Sequence, residues 1–117
     1  MHEFSLCQGL IQALRAQEPL AQRSLLGIEV TIGPLSGVEP ELLRHAYPLV
    51  VQNTEFAQVR LSLNQSSIQV QCLDCKQRSS AQVNDLRCRH CHSIHTMLTA
   101  GNECALTHLY YGEHDHV

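Results

Sequence analysis

Four cysteines near the middle of the chain have the residue type and spacing of a metal site. They form two CxxC pairs, Cys72-Leu-Asp-Cys75 and Cys88-Arg-His-Cys91, separated by the twelve residues 76 to 87. Each pair places two thiolates on one tight turn, and two such turns brought face to face present four sulfurs in a tetrahedron. Zn²⁺ accepts that arrangement most readily. The pattern therefore predicts a structural zinc site at Cys72, Cys75, Cys88 and Cys91.

Other chemistries compete for the same cysteines. Two disulfides need an oxidising compartment, and a redox CxxC would leave the second pair without a role. The string Cys88-Arg-His-Cys91-His92 matches the CxxCH haem-attachment motif, but covalent haem requires export and leaves the first pair idle. Iron in a rubredoxin-like site fits the same four sulfurs, and the sequence alone does not separate it from zinc.

The composition is that of one small domain with a metal-held appendage. The chain has 117 residues, of which 44% are hydrophobic, only 4% are aromatic and none is Trp. Its core must therefore be built mostly from Leu, Val, Ile and Ala. A small aliphatic core of this kind gains stability from a metal site that apolar burial alone does not supply.

Charge and hydropathy exclude two classes of partner. The formal net charge is −3 and Lys76 is the single lysine, whereas a nucleic-acid-binding surface needs a basic stripe. No stretch approaches the roughly 20 apolar residues of a membrane span. The start Met1-His2-Glu3 also lacks the basic and apolar regions of a secretory signal. We therefore expect no nucleic-acid partner, no membrane association and a reducing cytoplasm.

Periodicity predicts the elements that position the cysteines. An amphipathic helix is expected over residues 3–17 and a second over 39–51, the latter burying Leu42, Leu43, Ala46, Leu49 and Val50. Alternating strands are expected over 25–32, 59–63 and 68–71, the last leading directly into Cys72. The twelve-residue spacer suffices for a hairpin turning at Asn84-Asp85. A second hairpin is expected between 94–99 and 104–111, around the turn residues 100–103.

The first three residues also offer a metal chelate. A free α-amine on Met1, the amide nitrogen of residue 2 and the imidazole of His2 can close fused five- and six-membered rings. Those nitrogens lie in one plane, which suits Ni²⁺ or Cu²⁺ and suits Zn²⁺ poorly. Glu3 can complete the square through its backbone nitrogen or its carboxylate. Because binding displaces protons from the amine and amide, the affinity should rise with pH. A histidine in second position by chance is the alternative.

Taken together, these motifs resemble the HypA/HybF family of hydrogenase nickel-incorporation proteins. The resemblance rests on the opening Met1-His-Glu-Phe-Ser-Leu-Cys7, on Ile32-Gly-Pro-Leu-Ser-Gly-Val-Glu-Pro-Glu41, on the paired CxxC site, and on Gly101-Asn-Glu103 before a last strand. It covers essentially the whole chain in the expected order. The segments are individually weak, but their combination is specific.

The resemblance implies a nickel metallochaperone rather than an enzyme. The implied fold is α+β, with two helices on a small mixed or antiparallel sheet and an inserted four-cysteine zinc domain. We expect residues 1–66 plus 104–117 to form the nickel-binding domain and residues 67–103 the zinc-binding domain. By the same resemblance, nickel is held at His2 and Glu3, with the Met1 amine as a further donor, and zinc at the four cysteines.

The resemblance also implies partners. These are a HypB-type GTPase and the large subunit of [NiFe]-hydrogenase, and some members of the family also serve urease. Among the departures of the sequence from some relatives, one concerns the zinc ligands: only His92 directly follows a CxxC pair, since Lys76 follows Cys75. Some family members have a histidine after both CxxC pairs, and these histidines replace cysteine as zinc ligands when the pH falls. Such a switch is not expected here.

Several alternatives remain open at this stage. A zinc-ribbon adaptor that binds protein without transferring nickel would use the same four cysteines. An enzyme with Cys7 or Cys104 as nucleophile would need a base that no motif assigns, and Cys7 is better explained as a buried core thiol. The tail histidines His114 and His116 are expected to be solvated. Both a monomer and a weak homodimer are compatible with the sequence.

Overall fold

The computed structural model describes residues 2–17 and 24–112, and for His2 it describes the backbone alone. Within these residues the chain has an α+β architecture of two helices and six strands, as predicted. In chain order they are α1 (His2–Arg15), β1 (Leu25–Ile32), α2 (Pro40–Val51), β2 (Arg60–Gln65), β3 (Ile68–Cys72), β4 (Arg78–Ala81), β5 (Thr96–Ala100) and β6 (Cys104–Tyr111). The tail histidines His114 and His116 lie outside the described residues.

Helix α1 follows directly from its apolar spacing. Cys7, Leu10, Ile11 and Leu14 are buried on one face, which is the period of an amphipathic helix packed on a core. Glu3 stands in the first turn and is only 9% exposed. The buried face of α1 packs against α2. The prediction of Cys7 as a core thiol is therefore confirmed.

Helix α2 begins at Pro40, where a missing N–H costs nothing, and it continues through Pro48. Its buried residues are Leu43, Ala46, Tyr47 and Val51. The predicted burial of Leu42 and Leu49 was wrong, because these side chains are 52% and 57% exposed. The buried face of α2 is instead the one that carries Tyr47. The Tyr47 hydroxyl donates a 2.8 Å hydrogen bond to the Val59 carbonyl.

The first sheet has the strand order β2-β1-β6. Arg60 lies beside Gly27, and the Ser66 N–H donates to the Ile32 carbonyl, so β2 runs parallel to β1. The Gly112 N–H donates to the Ser24 carbonyl and the Gly33 N–H donates to the Glu103 carbonyl, so β6 runs antiparallel to β1. The connection from β1 through α2 to β2 is thus a βαβ unit within a mixed sheet.

The second sheet has the order β4-β3-β5, with both pairs antiparallel. The predicted hairpin between 94–99 and 104–111 was therefore wrong, since β5 pairs with β3 and β6 with β1. The turn at Gly101 explains the difference. Its carbonyl accepts a hydrogen bond from the Leu35 N–H, and the Glu103 carbonyl accepts one from the Gly33 N–H, each at 2.7 Å. These carbonyls bind the loop after β1, so the turn does not close a hairpin.

The chain divides into two compact units. Unit 1 comprises residues 1–30, 39–63 and 106–117, and unit 2 comprises residues 31–38 and 64–105. Unit 1 carries both helices, and unit 2 carries β3, β4 and β5 with all four CxxC cysteines. Among the described residues, no helix has the length and apolar character to cross a membrane.

Candidate metal centre

The first CxxC pair forms a tight turn at the end of β3. The Cys72 N–H donates to the Gln77 carbonyl at 2.9 Å, and the Lys76 N–H donates to the Cys72 carbonyl at 3.0 Å. The Cys75 N–H points at the Cys72 sulfur, 3.4 Å away. Lys76 has a φ of 70°, which turns the chain back into β4. We call this turn, residues 72–77, the first knuckle.

The second CxxC pair repeats the same geometry. The Cys88 N–H donates to the Ser93 carbonyl at 3.0 Å and the His92 N–H donates to the Cys88 carbonyl at 2.9 Å. The Cys91 N–H lies 3.5 Å from the Cys88 sulfur, and His92 has a φ of 64°. This second knuckle, residues 88–93, therefore matches the first bond for bond. The repeat shows that the CxxC spacing determines the turn locally.

The two knuckles bring all four sulfurs together. The Sγ atoms of Cys72, Cys75, Cys88 and Cys91 lie within 4.8 Å of one another, and two pairs across the knuckles, Cys72–Cys91 and Cys75–Cys88, are 3.6 Å apart. A tetrahedron with metal–sulfur bonds of about 2.3 Å has edges of about 3.8 Å. A disulfide would require about 2.05 Å, and no two of the six cysteines, all within the described residues, are joined by one. The donor set fits a single tetrahedral thiophilic ion.

The backbone of each knuckle favours the thiolate form of its first cysteine. The Cys75 N–H lowers the pKa of Cys72. The Cys91 N–H, with help from the His90 N–H, lowers the pKa of Cys88 to about 6. Metal ligation requires deprotonated cysteine, so N–H donors aimed at these sulfurs prepare the site for a cation. Cys72 and Cys88 are also fully buried, which keeps water away from two of the four donors.

Polar side chains tie the two knuckles to each other. The Ser93 hydroxyl donates to Asp74 Oδ2, and His95 Nδ1 lies 3.1 Å from the same oxygen. Asp74 belongs to the first knuckle, whereas Ser93 ends the second. Sequence analysis missed this bridge, although an acidic residue between two CxxC cysteines was a visible signal for it.

The three histidines near the cysteines lie at the edge of the cluster and are not part of it. His90 Nε2 is 3.2 Å from the Arg78 carbonyl, and His95 is held by Asp74. Within the described residues, the donor group that can hold a metal consists of the four cysteines alone. His92, the histidine of the formal haem-attachment string, supplies the left-handed residue of the second knuckle.

The predicted nickel residues lie elsewhere in the fold. His2 and Glu3 occupy the first turn of α1, in unit 1, whereas the four cysteines belong to unit 2. Met1 lies outside the described residues, and the structure describes only the backbone of His2. Cys7 is buried in the core and Cys104 is half-buried in β6. Neither thiol belongs to the four-cysteine group.

Comparison with known proteins gives consistent matches along the chain. Residues 1–111 match a family described as hydrogenase/urease nickel incorporation, metallochaperone, hypA. The chain is 36% identical over 108 residues to the hydrogenase maturation factor HypA of Nitrosospira multiformis, covering 91% of this chain and 93% of that protein. It is 32% identical over 111 residues to HypA of Aquifex aeolicus, covering 93% and 96%. Identity to HybF of Salmonella typhimurium is 30% over 103 residues, covering 87% and 91%.

Two solved structures share the fold. The solution structure of the Ni metallochaperone HypA from Helicobacter pylori superposes with a TM-score of 0.67 at 24% identity, covering 93% of this chain and 96% of that one. A second HypA solution structure gives a TM-score of 0.72 at 24% identity, with coverage of 95% and 96%. At this identity the two structures bear on the fold alone.

Proposed function

The chain belongs to the HypA family of hydrogenase and urease nickel-incorporation metallochaperones, and from that premise we propose that it carries Ni²⁺ at its N-terminus for [NiFe]-hydrogenase maturation. The family consists of metallochaperones and maturation factors rather than enzymes. The hypothesis of a nucleophilic Cys7 or Cys104 is therefore set aside. The nickel ion is the cargo of the protein, and its proposed ligands are His2 and Glu3 with the Met1 amine as a further donor.

The start of α1 is the observation that carries this proposal. Because the helix begins at His2, the N–H groups of His2 and Glu3 fall among the first four, which have no carbonyl acceptor inside the helix. Their amide nitrogens can exchange a proton for a metal without breaking a helical hydrogen bond. The deprotonated amide of His2, together with either the deprotonated amide or the carboxylate of Glu3, cancels the double charge of Ni²⁺, so the positive end of the helix dipole does not oppose the complex.

The proposed planar set of nitrogen donors favours Ni²⁺ over Zn²⁺. The same donor set also accepts Cu²⁺, which binds such donors more tightly in the general affinity order. Selectivity then depends on geometry and on which protein delivers the metal. A terminal site with few donors suits a carrier, because an acceptor can replace its ligands one at a time.

We assign zinc to Cys72, Cys75, Cys88 and Cys91 as a structural ion. Four sulfurs with tetrahedral spacing and backbone N–H groups aimed at them suit Zn²⁺, a cation without redox chemistry. We further propose that the protein works as two domains, a nickel-binding one of residues 1–66 plus 104–117 and a zinc-binding one of residues 67–103. Thiols in this arrangement persist in a reducing compartment, which favours the cytoplasm.

The partners follow from the pathway. The family acts in hydrogenase maturation, and we propose a HypB-type GTPase and the [NiFe]-hydrogenase large subunit as the direct contacts, with urease maturation proteins as further clients. We propose that the chain works as a monomer or a weak homodimer. A zinc-ribbon adaptor that binds protein without transferring nickel is the alternative, and it predicts that blocking the N-terminus has no effect.

Nickel titration of N-terminal variants tests the proposal. The native chain, a form extended by one residue before Met1, and His2→Ala are titrated with Ni²⁺ at neutral and mildly alkaline pH. His45→Ala is the matched control, because His45 is an exposed histidine on α2. Zinc is quantified in every form by elemental analysis.

We expect extension and His2→Ala each to abolish one equivalent of bound nickel, while His45→Ala leaves it unchanged. Zinc should stay at one ion per chain throughout, and nickel affinity in the native form should rise with pH. Nickel binding that survives both N-terminal changes would refute the chelate and favour the adaptor. Loss of zinc together with nickel would instead refute the independence of the two sites.

A further inference from the structure

The loop after β1 is fastened to a distant turn within unit 2. We call residues 33–38, which lie between β1 and α2, the strap. The Gly33 N–H donates to the Glu103 carbonyl and the Leu35 N–H donates to the Gly101 carbonyl, each at 2.7 Å. The two bonds are two residues apart on both segments, as in an antiparallel ladder. Strap and turn both belong to unit 2, so this attachment lies inside one compact unit.

The strap and the turn meet backbone to backbone. Gly101 has a φ of 120°, and a Cβ there would lie 2.9 Å from the Ile68 Cα. A Cβ on Gly33 would lie 2.2 Å from the Gly101 carbonyl oxygen. At these two positions no side chain separates the segments and none can adjust to a change in either. The strap therefore stays fastened only while the turn keeps its shape.

One carboxylate closes the turn itself. Glu103 Oε1 accepts a 2.7 Å hydrogen bond from the Gly101 N–H, two residues back along the chain. The same N–H lowers the pKa of Glu103, so the carboxylate is ionised at neutral pH. Hydrogen bonds to an ionised acceptor are stronger than those between neutral groups. Both backbone polar groups of Gly101 are thus engaged, the N–H by the Glu103 side chain and the carbonyl by the strap.

We propose that the Glu103 carboxylate is a latch that keeps the strap fastened. While it holds the Gly101 N–H, the turn presents its two carbonyls to the strap at hydrogen-bonding distance. Without the carboxylate the turn loses this closure, and the strap exchanges between a fastened and an open state. Such local opening needs no unfolding of the rest of the unit. The two knuckles build their turns from their own bonds, so the metal site stays intact in either state.

The pairing of β1 with β6 offers another explanation of the fastened strap. These strands are neighbours in the first sheet, and a strap that merely continues β1 would be held by their pairing alone. In that case, removing the Glu103 side chain would leave hydrogen exchange in the strap at its native rate. The latch requires faster exchange, and neither explanation depends on nickel binding at the N-terminus.

Amide hydrogen exchange, measured residue by residue by NMR on the full zinc-loaded chain, tests the proposal. The amides of Gly33 and Leu35 report on the strap, because both donate to the turn. Glu103→Ala removes the latch, and Glu103→Gln keeps an acceptor oxygen without the charge. Asn102→Ala is the matched control, because it removes an exposed side chain from the same turn.

A second set of amides separates opening of the strap from loosening of the whole unit. The Lys76 and His92 N–H groups close the first and second knuckles by donating to the Cys72 and Cys88 carbonyls. Their exchange rates are measured in every variant, together with the zinc content by elemental analysis.

We expect Glu103→Ala to speed exchange at Gly33 and Leu35 at least about tenfold, and Glu103→Gln to speed it about threefold or more. Asn102→Ala should leave both rates unchanged, and all forms should keep one zinc ion with native exchange in the knuckles. Native strap exchange in Glu103→Ala would overturn the proposal, and so would equal acceleration by Asn102→Ala. Acceleration that also reaches the knuckles or lowers the zinc content would overturn it as well. If Glu103→Ala does not fold, native strap exchange in Glu103→Gln overturns the proposal in its place.

Discussion

The sulfur atoms of Cys75 and Cys88 lie 3.6 Å apart, although the two residues are thirteen positions apart in sequence and belong to different knuckles. Cys72 and Cys91 make the matching approach on the other side of the cluster. Each knuckle builds its own turn from local hydrogen bonds, but only their meeting creates a four-sulfur site. The integrity of unit 2 should therefore depend on the metal that joins them.

Metal removal should loosen the zinc-binding part of the chain. Without a cation, the two knuckles lose the bonds that hold four sulfurs within 4.8 Å of one another, and ligand binding is also folding energy in small metal sites. We expect a strong chelator under reducing conditions to increase amide hydrogen exchange in β4 and in residues 82–95, and to leave α1 and α2 protected. Mass-spectrometric hydrogen exchange measures both regions at once.

Two cysteine-to-serine variants provide the control for that experiment. Cys75→Ser should lower bound zinc from one ion per chain and reproduce the exchange pattern of the metal-free protein. Cys104→Ser should retain the ion, because this half-buried thiol is outside the four-cysteine group. Equal zinc content in both variants would show that Cys75 is not a ligand.

The bridge from Asp74 to Ser93 and His95 should slow metal exchange. Asp74 accepts a hydrogen bond from Ser93, the last residue of the second knuckle, and contacts His95 just beyond it. Partners just outside a metal site typically change metal affinity 10–100-fold when mutated. We expect Asp74→Ala to accelerate zinc transfer to a chromophoric chelator by roughly tenfold. Glu41→Ala, which removes an exposed carboxylate paired with Arg44, should transfer zinc at the native rate.

The close approach of Gly33 to Gly101 should make position 33 intolerant of a side chain. A Cβ on Gly33 would lie 2.2 Å from the Gly101 carbonyl oxygen and 2.8 Å from the Asn102 nitrogen. Both atoms are backbone and cannot rotate away. We expect Gly33→Ala to lower the free energy of unfolding by about 1–3 kcal/mol, as overpacking does. Urea denaturation measures the change.

Gly9→Ala is the control for the Gly33→Ala variant. Gly9 lies in the interior of α1, and a Cβ there meets nothing within 4 Å. Gly9→Ala should raise the free energy of unfolding by up to about 1 kcal/mol, through helix propensity alone. If the two variants were equally stable, the tight contact at Gly33 would have no energetic consequence.

Ionisation of Tyr47 should make the free energy of unfolding depend on pH above pH 10. Burial, with a contribution from Cys7, raises the pKa of Tyr47 from 10.0 to about 12, so the unfolded chain ionises first. Its stabilising contribution is complete below pH 10 and is lost as the pH rises towards 12. Tyr47→Phe should cost about 1–3 kcal/mol at pH 7, because the Val59 carbonyl loses its donor. The stability gap between the two proteins should narrow between pH 10 and 12, and a constant gap would contradict this account.

Several features could be predicted from the sequence because their causes are local. The extent of β1 follows from alternating apolar residues, and α1 follows from the spacing of Cys7, Leu10, Ile11 and Leu14. The turn of each knuckle follows from the CxxC spacing, since the backbone hydrogen bonds that close each turn join residues at most five positions apart. Family membership also follows from short motifs in a characteristic order. The nickel ligands His2 and Glu3 remain a prediction of that resemblance.

Only the tertiary structure decided which elements meet. The residues around Gly101 carry the local signature of a hairpin, yet the Gly101 and Glu103 carbonyls bind the loop after β1, and β5 pairs with β3. The helical period of α2 does not specify which face is buried, and the packing of Tyr47 left Leu42 and Leu49 exposed. Each of these outcomes depends on contacts between residues distant in sequence, which local propensity does not encode.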